Sequence, residues 1–270
     1  MKTIYQVAAM ALFIVTITSC QKVIDVSLNN AEQKYVIEGS VTDGPGPYTV
    51  TLSRTKAFTE NNTFERISGA QVTITDVTAG NTDTLHDGGT GNYQTGTLAG
   101  VRGHAYLLSV VINGQTFTAA STMPAVAVAV DTLYASRPDF GDPNSAFMTP
   151  VFTDPVGTGN YYRLRQWVNG IEVKGSRVRG DEVSDGHTYS SQLYYDADDD
   201  SGNPKIGQGD SISVELQCIN KQVYDYYRTL TDVTGENSAT PANPLTNVTG
   251  GALGIFNTCT SRRKSAIAAY

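Results

Sequence analysis

An all-β fold is what this sequence predicts: an N-terminal β-sandwich followed by a second mostly-β domain that carries one short helix. Three observations predict it. The composition favours extended chain, with 15 tyrosines beside many threonines and valines, residue types that suit a pleated, half-buried surface. Apolar residues recur with period two in short runs bounded by glycine, proline and asparagine, which marks successive strands. Convincing helical periodicity occurs once in the body of the chain, after Asn220.

A segment of another kind precedes the first strand. Lys2 gives a short basic start, Val7 to Ile17 form an apolar run broken only by Thr16, and Thr18-Ser19 lead into Cys20. That run is too short for a membrane span and reads as a secretory signal over residues 1–19. A cysteine directly after small polar residues resembles the bacterial lipobox, in which the signal is cleaved before the cysteine and the thiol takes a diacylglycerol. Cys20 is then the lipidated N-terminus; the alternative is an ordinary secreted protein with Cys20 in the discarded peptide or beside the cut. Each buried methylene contributes about 0.8 kcal/mol, so two or more acyl chains hold a soluble body on a bilayer. Residues 20–33 read as a lipidated tether, and a dozen extended residues reach roughly 40 Å.

The sandwich domain is expected over residues 34–125. Tyr35, Ile37, Gly39 and Val41 share one face, and after the turn Asp43-Gly44-Pro45-Gly46-Pro47 so do Tyr48, Val50 and Leu52. Gly69 to Asp76 continues the pattern, followed by the turn Asp87-Gly88-Gly89-Thr90-Gly91, then Tyr93, then a strand from Ala105 to Ile112. Asn113-Gly114 before Thr116-Phe117 is a type I′ hairpin signal. Thr122-Met123-Pro124 ends the unit, since proline cannot continue a central strand.

Residues 126–270 form the second domain. From Asn160 to Val168, Tyr162, Leu164, Gln166 and Val168 alternate with Tyr161, Arg163, Arg165 and Trp167, and Asn169-Gly170 turns the chain into Ile171-Glu172-Val173. Ile212, Val214, Leu216 and Cys218 make the apolar face of another strand, opposite Ser211, Ser213, Glu215 and Gln217. Asn220 caps a helix on which Val223, Tyr227 and Leu230 share a face, with Tyr226 beside them.

Composition narrows the function classes. The 19 basic and 26 acidic residues give a formal charge of -7, or -8 once Lys2 is removed with the signal. Such a surface repels nucleic acid and anionic headgroups. No segment after the signal approaches the roughly 18 uninterrupted apolar residues of a spanning helix. Cys218 and Cys259 remain after the anchor; in an oxidising envelope they either close a disulfide across about forty residues or stay buried as free thiols.

Groups for catalysis are thinly supplied. The three histidines, His86, His104 and His187, stand in no metal-binding pair such as HExxH. No serine occupies a G-x-S-x-G elbow, and Ser184, Asp185 and His187 read as a solvated loop rather than a triad. Gly88 to Gly91 lacks the lysine and strand-to-helix setting of a phosphate loop. Asp196, Asp198 and Asp200 resemble the start of a calcium loop, but Ser201 and Gly207 stand where an EF-hand needs glycine and glutamate, so an acidic hairpin loop is expected instead. No cofactor is implied. Tyr161, Arg163, Arg165 and Trp167 form the candidate binding face, with Tyr189, Tyr194 and Tyr195 in a neighbouring segment. Aromatic faces stack on sugar rings or apolar side chains, and arginine offers bidentate donors; alternatively the face lies under the helix with arginine stems covering it.

Three pieces together resemble a known family. Cys20 with Val23-Ile24-Asp25-Val26, the segment from Tyr35 to Tyr48, and Asn243-Pro244-Leu245-Thr246-Asn247-Val248-Thr249-Gly250-Gly251-Ala252-Leu253-Gly254-Ile255-Phe256 are similar to the domain-of-unknown-function 4249 family of Bacteroidota envelope lipoproteins. The resemblance implies an outer-membrane lipoprotein, often encoded near TonB-dependent transporters, whose N-terminal sandwich is similar to carboxypeptidase-regulatory or transthyretin-like domains, within an immunoglobulin/transthyretin-like fold class. It carries over no catalytic residue. The expectation is a non-enzymatic, lipid-anchored envelope protein that binds or supports a transporter barrel; a carbohydrate- or peptide-capturing surface lipoprotein is the alternative, and a hydrolase a third.

Overall fold

The computed structural model describes residues 32–56, 64–138, 145–175, 177–182, 184–197, 201–234 and 243–270. Cys20, the signal segment, most of the tether, Asp198 and Asp200 lie outside them. The chain enters the fold at β1 (Tyr35–Thr42), and a short β2 (Gly44–Pro45) leads to β3 (Thr49–Arg54). β4 (Gln71–Asp76), β5 (Asn81–Thr84), β6 (His86–Asp87), β7 (Asn92–Gln94) and β8 (Ala99–Gly100) follow, before the hairpin of β9 (Ala105–Ile112) and β10 (Gln115–Thr122). Asn113 and Gly114 sit at φ 50° and 81°, the left-handed pair that a type I′ turn requires.

The second half begins with β11 (Thr132–Ser136) and β12 (Phe147–Thr153). β13 (Tyr161–Val168), β14 (Ile171–Glu172), β15 (Arg177–Gly180) and β16 (Thr188–Ser190) come next, then β17 (Ser211–Ile219), helix α1 (Lys221–Thr234) and β18 (Leu253–Ile267). Asn169 and Gly170 repeat the left-handed pair at φ 49° and 82°.

These strands form a nine-stranded sheet in the order β14-β13-β17-β18-β1-β3-β7-β6, with β15 also on β13, and two smaller sheets, β10-β9-β4-β5 and β11-β12-β16, beside the short β2-β8 pair. β18 is the seam. It runs antiparallel to β17 and parallel to β1, its first residues opposite β1 and its last opposite β17. Gly254 pairs with Ile37 at φ 104°, where a Cβ would stand 2.1 Å from the Ile37 carbonyl oxygen, so glycine is required for that junction.

Burial separates two cores on one face of the large sheet. In the first, Ile37, Val50, Leu52 and Phe256 meet Val72, Ile74, Leu108, Val110 and Phe117 of the four-stranded sheet. In the second, Tyr162, Leu164, Val214 and Leu216 meet Leu133, Met148 and Phe152 of the three-stranded sheet. Each core lies between two sheets, a sandwich-like arrangement that the alternation implied for the first; the second was expected only to be mostly β. The opposite face carries α1, whose Val223 and Tyr226 pack on Ile219, Ile255 and Cys259. β17 is therefore covered on both sides: Ser213 and Gln217, on the face opposite its apolar residues, are buried beside Arg263 and Arg163.

Candidate functional site

Alternation on β13 sends Tyr162 and Leu164 into the second core and presents Tyr161, Arg163, Arg165 and Trp167 on the other face. α1 closes over the first two. The Tyr161 ring lies 4.9 Å from that of Tyr224, and the Arg163 guanidinium 3.9 Å from the centroid of Tyr227. Cations close over the rest, with Trp167 only 8% exposed between Arg165 at 4.9 Å and Arg263 at 3.9 Å. Glu172 grips Arg165 through two bonds of 2.8 and 2.7 Å. The candidate binding face is thus a packed layer in this structure. Strand periodicity places residues on a common face and is silent about what lies on it.

A disulfide between Cys218 and Cys259 is not formed; both are buried free thiols. Cys218 pairs in register with Thr260, so its side chain emerges on the face opposite that of Cys259. Cys218 lies in the second core, where its Sγ accepts the Val128 N–H at 3.3 Å, and Cys259 lies under α1. Burial pushes both thiols up, Cys259 to about 12.

A cleft of about 510 Å³ opens where the first core ends and α1 begins, with Met123, Pro124, Val126, Tyr161 and Lys221 among its walls. Asn220 caps the helix, its Oδ1 accepting the Val223 N–H at 3.1 Å while its Nδ2 donates to Ser121 Oγ at 2.8 Å. Lys221 is committed to Asp225 at 2.6 Å. Beside this cleft, Asp154, Asp181 and Asp185 bring carboxylate oxygens within 4.8 Å of one another. Three hard oxygen donors at that spacing could hold a divalent cation. Their described partners are neutral: Tyr162 Oη and the Gly186 N–H donate to Asp154, the Gly159 and Asn160 N–H groups to Asp181, and the Gly157 N–H to Asp185. The trio therefore clamps the loop after β12 against the turn at 184–186. Sequence reasoning passed over Asp154 and Asp181 because they are far apart in the chain, and looked instead at the run from 196. There, Asp196 gives its carbonyl to Asn203 Nδ2 at 2.7 Å. His187 is exposed, and its Nδ1 sits 2.7 Å from the Asp185 carbonyl rather than against Ser184.

The third feature is a groove of about 420 Å³ on the outer face of β11-β12-β16, bordered by Tyr134 and Tyr194. Tyr134 on β11 stands opposite Thr149 on β12, and the Met148–Leu193 bridge lays Gln192 and Tyr194 alongside β12. Both tyrosines are presented, at 42% and 49% exposure. Between them runs a fixed chain of polar groups. Tyr194 Oη donates to Gln192 Oε1 at 2.5 Å, Gln192 Nε2 donates to Ser136 Oγ at 2.7 Å and to the Arg137 carbonyl at 2.8 Å, and Ser136 Oγ lies 3.0 Å from Thr149 Oγ1. Below, the Phe147 ring supports Tyr194 at 4.8 Å. The tyrosine-rich run 189–195 was the signal for one wall; nothing near Tyr134 marked the other.

A family model described as Domain of unknown function (DUF4249) matches residues 21–265. No curated protein matches the chain.

Proposed function

This chain belongs to the DUF4249 family, and from that premise we propose that it is a non-enzymatic, lipid-anchored cell-envelope protein, a binding or accessory component of an outer-membrane uptake system of the TonB-dependent type. The observation that carries this reading is the Thr18-Ser19-Cys20 sequence set one short tether ahead of a folded body. Among the described residues the body is tied down from Lys34, whose N–H donates to Thr55 Oγ1 at 2.9 Å and whose carbonyl accepts the Thr55 N–H at 2.9 Å. A tether of residues 21–33 keeps the body close to the bilayer, so a barrel in the same membrane meets it at high effective concentration. The test is fractionation of the intact protein against a Cys20→Ser variant, with affinity purification from solubilised outer membrane. Membrane retention that depends on Cys20, with a transporter barrel recovered, is the expected result. An intact protein found in the soluble fraction would sink the reading.

The groove between Tyr134 and Tyr194 favours a second reading, a surface lipoprotein that captures a carbohydrate or peptide itself. Ligand binding by the purified protein with no barrel recovered would favour it over the first.

A further inference from the structure

We propose that the groove between Tyr134 and Tyr194 is a binding site for uncharged sugar rings of an oligosaccharide. The inference deepens the capture reading and rests on it, but not on the lipid anchor or a transporter. A pyranose has an apolar C–H face and an edge of hydroxyls that both donate and accept. The groove offers the complement of each. Its walls are two exposed phenol rings, and aromatic rings present large, rigid, apolar faces at little entropic cost. Ser136, Thr149 and Gln192 line the groove between the rings; the Gln192 amide hydrogens are already given to Ser136 and the Arg137 carbonyl, so this floor offers a ligand chiefly the remaining acceptor lone pairs of its oxygens. On the rim Ser190 and Ser191 are exposed, with no side-chain hydrogen bond among the described residues.

Rigidity is the stronger part of the argument. The hydrogen-bonded chain from Tyr194 through Gln192 and Ser136 to Thr149 fixes these rotamers before any ligand arrives, and the Phe147 ring props Tyr194 from beneath. Little side-chain freedom is left to lose on binding, which is what a weak, hydroxyl-rich ligand needs. The volume of about 420 Å³ falls in the range of small-ligand clefts. Among the described residues that line the groove, Arg137 alone is charged, and its guanidinium is engaged 5.4 Å from the Tyr270 ring centroid; no second cation stands with it to clamp an anion, and a neutral occupant fits the otherwise uncharged lining. A peptide adding to the sheet would pair with the backbone of one of its two outer strands, β11 or β16, and would have no need of both rings at once.

The experiment is a calorimetric and NMR titration of the full chain carrying Cys20→Ser with cello-, malto-, xylo- and manno-pentaose, a trigalacturonate as the acidic control and an extended hexapeptide mixture. Binding of at least one neutral oligosaccharide is expected, weakened about tenfold or more by Tyr134→Ala and by Tyr194→Ala at unchanged melting temperature, and retained in Tyr134→Phe. Three results each overturn the proposal: no neutral oligosaccharide binds, binding survives both alanine variants, or tyrosine-dependent binding is confined to the peptide or the acidic sugar. Loss of membrane retention or of barrel recovery would leave this titration unchanged, so the two readings fail separately.

Discussion

Two aromatic faces of the same molecule have opposite fates. On β13, Tyr161, Arg163, Arg165 and Trp167 alternate so cleanly that they read as one face, either a binding surface or a layer under the helix, and α1, Glu172 and Arg263 cover them. On the outer face of the three-stranded sheet, Tyr134 and Tyr194 come from segments of weak pattern and remain open. The difference lies in what each face carries besides rings. The β13 face holds cations that find a carboxylate or a ring on adjoining elements, so closing it engages the guanidinium groups while burying the aromatics, with Arg163 Nε left without a hydrogen-bond partner among the described residues. The outer groove ties its polar groups to one another and leaves both rings open, at 42% and 49% exposure.

Substitutions that treat the two faces alike should therefore give different results. The largest effect is expected at Trp167. Truncation to alanine removes a nearly buried indole from between two guanidinium groups, and unfolding by urea should show a loss of about 3–5 kcal/mol. Unchanged stability with loss of partner binding would mean that the β13 face opens and is functional after all. Val223→Ala comes next. Its side chain is fully buried between helix and sheet, and losing it should cost about 2 kcal/mol. Because Cys259 lies beneath the same helix, that variant should also speed its alkylation. With burial raising this thiol to about 12, only about one in ten thousand is thiolate at pH 8 while the face is closed. In a Cys20→Ser background, native protein should thus show almost no reactive thiol, and denatured, unreduced protein should show two. Asn220→Ala should cost about 1 kcal/mol as a lost N-cap, with a smaller rise in Cys259 labelling; equal labelling in both variants would show that helix docking does not gate the thiol.

How much of this was legible depends on distance along the chain. Both Asn-Gly hairpins and the Asn220 cap are local events, and the residues alone specify them. The longest strand, β18, escaped notice. Its stretch from Gly254 to Thr260 is buried on both faces and the following Ser261-Arg262-Arg263-Lys264 is polar, so no alternation survives to reveal it. Arg262 instead shows what the polar half does: with Arg102 it grips Asp43 at 2.9 and 2.8 Å. Burial pushes that carboxyl up, but bonds from Arg262, the Ser261 N–H and Arg102 outweigh it and hold it below the usual range. The groove was less legible still, because its parts arrive from positions 134, 149 and 190–194 and meet only through strand register.

The smallest stability effect is expected at Tyr134, and for that reason it is the most informative. Its side chain is 42% exposed on an outer strand, with no hydrogen bond to its phenol among the described residues. Tyr134→Ala should shift the unfolding free energy by about 0.5 kcal/mol or less, against several times that at Trp167. A ring that costs so little to remove contributes little to holding the fold together. A loss of 2 kcal/mol or more on thermal or urea unfolding would instead make Tyr134 a packing residue like Trp167, and the contrast between the two faces would disappear. A near-neutral result, paired with the large loss at Trp167, would leave ligand contact as the role open to Tyr134.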